Sequence, residues 1–470
     1  MPNGSSLTPQ STVDKALSLA RPGSECVVIA QESSTANLRW AGNTLTTNGV
    51  AVTRALTVVS IDRRADGSAG VGTVTRTGLR PDQVEDLVRE AEKAASDASG
   101  AEDVAELTGP DASIRSARSW DEVPETTDFG IFRGFAGDLG TSLRTAEAAG
   151  RKLYGFAEHE VDSVFVGTSS GVRLRYDQPA GRLELNAKSA DESRSAWDGV
   201  ATRDFTDVDV ASVEAGLAQR LEWQTRRVDL PAGRYETILP PTATADLMTY
   251  MFWSAGARDA AEGRTVFSRA GGGTRVGERL ATVPVSIYSD PHYPGLECAP
   301  FVAAGGSGRD TSVFDNGLPA GRAAWIHEGV LSALHSSRYS ATKAGLPVTP
   351  AVDNLIMDGG TGATLPEMIA STKRGLLLTC LWYIREVDPQ TLLLTGLTRD
   401  GVYLVENGEV TGAVNNFRFN ESPVGILSRL AEVGATSKTL PREWGDYFNR
   451  AAMPPIRVAN FNMSSVSKAS

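Results

Sequence analysis

Residues 235–268, YETILPPTATADLMTYMFWSAGARDAAEGRTVFS, sit near the middle of the chain and constrain what can form on either side. Residues 235–239 read as a short strand. Pro240 and Pro241 must end it, because proline has no ladder N–H and holds φ fixed. Thr242 or Thr244 is then placed to cap a helix, and Asp246 near its start suits the helix dipole. Leu247, Met248, Met251, Phe252 and Ala255 recur every three to four residues, which predicts a helix burying a broad face. This helix contains no His, no Cys and a single acid, so it offers nothing that grips a transition metal.

A chain of 470 residues is long enough for two or three domains with cores of their own. The first half predicts a helix over 12–24, with Ser11 or Thr12 as its cap, then strands at 26–31, 37–41, 50–61 and 68–75. Asn48-Gly49 and Asp66-Gly67 are expected as hairpin turns. Further on, the pattern predicts helices over 81–98, 132–153 and 210–223, a polar connector over 99–128, a hairpin at 161–166 and 172–176, and a strand at 182–189. After about residue 225 the pattern changes to Gly-rich loops and short strands at 323–327, 330–334, 375–384, 391–398, 401–406 and 409–414. Glu328-Gly329 and Asn407-Gly408 read as tight turns. The expected fold is α+β. An N-terminal domain, 1–225, carries an antiparallel sheet with helices. A C-terminal domain, 226–470, is mainly antiparallel β, barrel-like, and contains the central helix. The strands at 401–406 and the hairpin at 323–334 read as edges that a dimer contact would cover.

The formal charge of −11 argues against a nucleic-acid surface, and the basic pairs Arg63-Arg64 and Arg226-Arg227 are isolated. No apolar run is long enough to span a bilayer, and the start MPNGSSLTPQSTVDKAL lacks the regions of a signal peptide. Cys26, Cys298 and Cys380 form no C-x-x-C pair. They read as packed, reduced thiols of a cytoplasmic protein.

Several motifs have plainer readings. Residues 167–171 (GTSSG) match G-x-S-x-G, but 172–176 alternate as a second strand, so Ser169 is expected in a hairpin turn rather than a nucleophile elbow. The glycines of 271–277 and 305–309 miss both nucleotide-binding patterns and read as loops. His327-Glu328 begins like a zinc-peptidase motif, yet positions 331 and 332 are Leu331 and Ser332, and His335 is too distant along a helix to share the metal. Asp353 and Asp358 are not spaced to meet on a helix face. Cys380 lies in an apolar run and is expected to be buried. No catalytic, metal-binding or substrate-binding residue can be named from these patterns.

Seven collinear segments, considered together, resemble one family. They are CVVIAQESSTANLRWAGNTL, GVGTVTRTGL, RYETILPPTATADLM with EGRTVFS, TRVGERLATVPVSIYSDP, AAWIHEGVLSALHSSRYSATKAGLPVT, KRGLLLT and GVYLVENGEVTGAV. Their order and wording are similar to the TldD/PmbA family, over about residues 12–458. The resemblance implies a two-chain peptidase. In it a TldD subunit carries an H-E-x-x-x-H zinc helix and a C-terminal cysteine ligand, and a PmbA/TldE subunit shares the fold without the metal. Here the zinc-helix positions are filled by residues 246–252, no His occurs between His159 and His292, and no cysteine follows Cys380. The resemblance therefore implies a PmbA/TldE-like subunit, cofactor-free itself, with a TldD-like paralogue bearing zinc as partner and peptide as substrate. A peptide-binding scaffold derived from that family is the alternative. The chain departs from the family pattern at 315–319 (DNGLP) and at 381–385 (LWYIR).

Overall fold

The computed structural model describes residues 8–114, 118–399 and 401–467. Residues 1–7, the start of the segment scanned for a signal, and 115–117 of the connector lie outside the described residues.

Long antiparallel strands build the first half. β1 (Glu25–Ala41) and β2 (Thr44–Arg63) are continuous where the sequence reads as separate short runs. They turn at Gly42-Asn43, with φ of 56° and 65°, the double positive-φ geometry that joins two twisted strands in two residues. Asn48-Gly49 is not a turn: it lies inside β2, opposite Leu38 and Asn37. β3 (Ala69–Thr77) follows the Asp66-Gly67 turn as expected. β4 (Arg151–Thr168), β5 (Arg173–Ser189) and β6 (Ser195–Thr202) complete a sheet of order β3-β2-β1-β4-β5-β6.

Four helices cover one face of this sheet. α1 (Pro9–Leu19) starts earlier than expected, because Thr8 is the cap and Pro9 takes the first turn, where no N–H is needed. α2 (Val84–Asp97) buries Val84, Leu87, Val88, Ala91 and Ala95. With α1 it covers Val28, Leu56 and Phe165. α3 (Arg133–Ala148) stops short of 153, since Gly150 turns the chain at φ 68° and β4 begins at Arg151. α3 and α4 (Val210–Trp223) pack over Leu38, Trp40 and Leu183. On the opposite face Val27, Ile29 and Val166 meet Phe301, Val313 and Phe314 from the second half.

The second half holds two sheets around a shared core. One runs in the order Leu381–Asp388, Leu393–Thr398, Phe417–Glu421, Ile456–Val466, Gly233–Leu239, Arg374–Leu378, Val402–Glu406, Glu409–Val414 and Arg227–Val228, with Leu430–Val433 beside Ile456–Val466. The other runs Val330–Leu331, Ala323–His327, Ser286–Ser289, Leu355–Asp358, Ala451–Met453 and Ser437–Thr439. Most pairings are antiparallel. Among the described residues both paths end open, so the α+β class holds but the barrel does not close. Residues 375–384 form two strands rather than one, broken at Thr379 and Cys380. Val402–Glu406 is no edge: it has neighbours on both sides, and Leu376–Leu378 are fully buried. That removes the ground for a dimer contact at 401–406, whereas Val330–Leu331 of the 323–334 hairpin does end its sheet. Among the described residues no helix is long and apolar enough to cross a membrane.

Candidate functional site

α5 (Pro241–Trp253) is the central helix, entered from strand Gly233–Leu239 through Pro240 and Pro241. Pro240 is the cap residue and Pro241 the first helical one, so neither Thr242 nor Thr244 caps it; the Thr244 hydroxyl turns back to the Leu239 carbonyl. Ala243 to Thr249, Met251 and Phe252 are all buried, so the helix is enclosed nearly all round rather than along one face.

Asp246 is fully buried on this helix. Its Oδ1 accepts the Glu443 amide at 2.8 Å, while its main-chain carbonyl accepts Trp444 Nε1 at 3.0 Å. Among the described residues, Asp246 Oδ2 and Thr249 Oγ1 find no hydrogen-bond partner. Burial pushes the Asp246 carboxyl well above its ordinary value, against the pull of the Glu443 amide, and so favours its neutral form. A raised native pKa means that the stability tied to this proton is complete below the ordinary 3.8 and lost as pH climbs through the raised value. Asp246→Asn, uncharged at every pH, is expected to flatten that decline. At pH ~8 it should unfold at a higher temperature than the wild type, a gain of about 1–3 kcal/mol, with the difference vanishing near pH 4. Thermal unfolding across pH checks it: parallel curves for the two proteins would mean that the carboxyl is not neutral.

The neighbouring C-terminal segment closes over α5. The Glu443 carboxylate accepts the amides of Tyr383 and Ile384 at 3.2 and 3.1 Å and meets Arg385 at 3.3 Å. That grip holds Tyr383 at φ 51°, a strained conformation for a bulky residue. Tyr250 packs tilted and Trp253 edge-on against Trp444, and Trp253 also meets Phe448 edge-on. Trp253, Tyr383 and Tyr447 are exposed, leaving an aromatic rim outside the helix. The nearest imidazole, His335, sits at the C-terminal end of α5 with Nε2 3.2 Å from the Phe252 carbonyl. Burial lowers its pKa, so it is neutral.

A zinc of the kind the resemblance attaches to TldD helices does not fit these residues. α5 offers one enclosed carboxyl whose neutral form burial favours, and among the described residues no three His, Cys, Asp or Glu side chains converge. The other motif residues are structural. Ser169 closes the β4–β5 hairpin and accepts the Cys26 amide at 3.0 Å. His327-Glu328 lies at a turn with Glu328 and Gly329 at positive φ. Asp353 pairs with Arg450, whereas Asp358 caps Gly359, so the two acids do not meet. Gly271 to Gly273 form an open loop at positive φ, and Ser307 ties the second Gly-rich loop to Asp103 at 2.6 Å. All three cysteines are buried, and burial pushes Cys26 and Cys298 up to about 12, which removes thiolate chemistry.

One feature escapes the sequence altogether. A cleft of about 740 Å3 opens between the β4–β5 end of the first sheet and the ten-stranded sheet, lined by Tyr154, Lys188, Arg194, Arg227, Arg399 and Tyr403 among others. Its cations come from distant parts of the chain, so no local spacing announces them.

Residues 232–465 match the family model described as the PmbA/TldA metallopeptidase C-terminal domain. No functionally curated protein matches the sequence. Among solved structures, TldE from Thermococcus kodakarensis superposes with a TM-score of 0.76 at 18% identity, covering 96% of this chain and 98% of that one. A protein of Thermotoga maritima MSB8 described as a candidate modulator of a DNA gyrase gives 0.77 at 17% identity, over 96% and 99%. A similarly described protein of Bacteroides thetaiotaomicron VPI-5482 gives 0.73 at 15%, over 97% and 98%. Such identities speak for the fold alone; the matched C-terminal model and the collinear segments speak for descent. The chain belongs to the TldD/PmbA family.

Proposed function

We propose that this chain is the subunit without a metal centre in a TldD/TldE-type two-chain metallopeptidase that cleaves unstructured or modified peptides. The observation that carries the reading is the chemistry of α5. Leu247, Met248, Met251 and Phe252 are core side chains, and the one carboxyl is enclosed, with its pKa raised by burial. Peptide hydrolysis by a metal needs an activated water and a carboxylate to move its proton. In this proposal both come from a metal-bearing paralogue. This chain contributes enclosure and substrate positioning, for which the polar cleft and the loops at 269–278 and 303–311 are the available surfaces. The reading includes a cytoplasmic location, with the burial of all three cysteines as its support.

Reconstitution tests it. This chain alone is expected to cleave no peptide, the mixture with an H-E-x-x-x-H paralogue is expected to cleave, and a mixture whose paralogue has its motif Glu changed to Gln is expected to be silent. Cleavage by this chain alone, or cleavage surviving that change, would overturn the assignment. Binding of peptide without cleavage in any mixture would instead favour a scaffold.

A further inference from the structure

The cleft between the two sheets differs in charge from the chain that carries it. Among the described residues its lining sets Lys188, Arg194, Arg227 and Arg399 against one carboxylate, Glu192, on a molecule of formal charge −11. With Arg399 left out, three cations still face one acid. Glu192 is itself engaged away from the lining: it binds Lys152 at 2.7 Å and stands 3.8 Å from Lys188. The adjoining hollow of about 410 Å3, which shares Arg194, has no such excess, since Arg151 and Arg194 there meet Asp191 and Glu222. Exposed charges farther off than ~8 Å are largely screened at physiological salt, so the cations set the potential inside the cleft.

Different neighbours hold these cations. Lys188 Nζ lies 5.3 Å from the centre of the Tyr154 ring. One Arg194 N–H donates to the Leu221 carbonyl at 2.8 Å, and Arg227 approaches Asp229 only to 3.9 Å, with both side chains mostly exposed. A ring face and a carbonyl leave a cation its charge, and a solvated pair at that distance cancels little of it. Charges anchored separately along a wall fit a ligand with spaced anionic groups better than one small anion. A single-stranded nucleic acid carries spaced charges too, but it asks for aromatic faces on which its bases stack. Here Tyr403 is fully buried and packed edge-on against Trp223 at 5.1 Å, and Tyr154 has its ring against Lys188. A peptide needs no such platform, and Asn186 lines the same cleft with an amide suited to a peptide backbone.

We propose that the cleft binds acidic peptide segments, taking carboxylates spaced along the peptide onto Lys188, Arg194 and Arg227. This gives a substrate class to the positioning role proposed for the cleft, and it rests on that reading only for the bound peptide being a substrate.

Fluorescence anisotropy on the full chain, with no paralogue present, tests it. The probes are ten-residue peptides alternating glycine with glutamate, glutamine or lysine, each carrying an uncharged fluorophore. The glutamate peptide is expected to bind at least about tenfold tighter than the glutamine peptide, and the lysine peptide weakest of the three. Raising NaCl from ~50 to ~300 mM should weaken the glutamate peptide several-fold, because salt screens exposed pairs. Lys188→Gln with Arg227→Gln should weaken it at least about fivefold. Thermal unfolding should stay unchanged, since those side chains are 39% and 71% exposed. Arg80→Gln with Lys93→Gln makes the same charge change at exposed positions outside the cleft, and should weaken it less than about twofold. Indifference to peptide charge, equal losses in the two double variants, displacement by equimolar inorganic phosphate, or tighter binding of a ten-nucleotide thymidine strand would each overturn the proposal. If the cleft double variant fails to fold, Arg227→Gln alone decides, compared with Arg80→Gln alone. Cleavage by the reconstituted pair with no acidic preference in binding would sink this inference and spare the proposed function. Acidic peptide bound by this chain when no mixture cleaves would spare the cleft and sink that function.

Discussion

Writing the H-E-x-x-x-H spacing into α5, as Leu247→His, Met248→Glu and Phe252→His, is expected to unfold the protein without creating a metal centre. Leu247 and Met248 are wholly buried and Phe252 is 6% exposed. Phe252 packs against Trp325, His335 and Phe448, with ring centroids 5.4, 5.8 and 6.0 Å apart. Each change forfeits about 2 kcal/mol of apolar burial and leaves a polar group enclosed at a further ~1–3 kcal/mol. Three such losses total roughly 10 kcal/mol, as large as the whole stability of an ordinary domain. The surroundings offer no relief, because Asp246 Oδ2 and Thr249 Oγ1 on the same helix already lack partners among the described residues. Soluble yield and thermal unfolding report the loss. A folded triple variant holding one zinc per chain would reveal a dormant metal centre and remove the reason for assigning the metal to a partner.

The sequence expectations succeeded where local physics decides alone. Residues 210–223 form α4 to the residue, capped by Asp209, whose carboxylate accepts the Ser212 amide. Glu328-Gly329 and Asn407-Gly408 turn as their positive-φ tolerance predicts. They failed where a partner decides. Asn48-Gly49 is a strong turn pair, yet β1 offers it a continuous ladder, and Gly42-Asn43 takes the turn. Leu153 fits a helical period but belongs to β4, and Gly150 separates the two. Strands Ser286–Ser289, Leu355–Asp358 and Ala451–Met453 are three or four residues long, too short to show a period. At the candidate site one buried face of α5 was legible from its apolar spacing, but its enclosure nearly all round was not. The raised pKa of Asp246 was not legible either, because its burial depends on Glu443 and Trp444, about two hundred residues away.

The segment that closes over α5 also fastens the two halves of the chain, and Arg442 is its centre. Its guanidinium lies between two indoles, 4.7 Å from the Trp197 ring of β6 and 4.3 Å from the Trp382 ring of the second half. It also reaches Glu184 of β5 at 3.3 Å, and Trp197 Nε1 donates to that same carboxylate at 3.1 Å. Lys438–Asp207 and Arg182–Asp446 add ion pairs across the same seam, but these involve exposed groups and contribute little. Arg442 is different, because it and Glu184 are mostly enclosed, at 19% and 13% side-chain exposure. Arg442→Ala removes two cation–π contacts, each worth about 1–2 kcal/mol when desolvated, and strips the enclosed Glu184 of its cation. A loss of roughly 3–4 kcal/mol is expected. Arg442→Lys should recover less than half of it, since an ammonium keeps the charge but cannot lie flat between two rings. Thermal unfolding of both variants measures the loss, and a cycle with Trp382→Ala isolates the stacking energy, expected at about 1 kcal/mol or more. If Ala and Lys prove equally mild, the two halves are held by the apolar contacts of Phe301 and Phe314 with β1 instead, and α5 keeps its surroundings without this clamp.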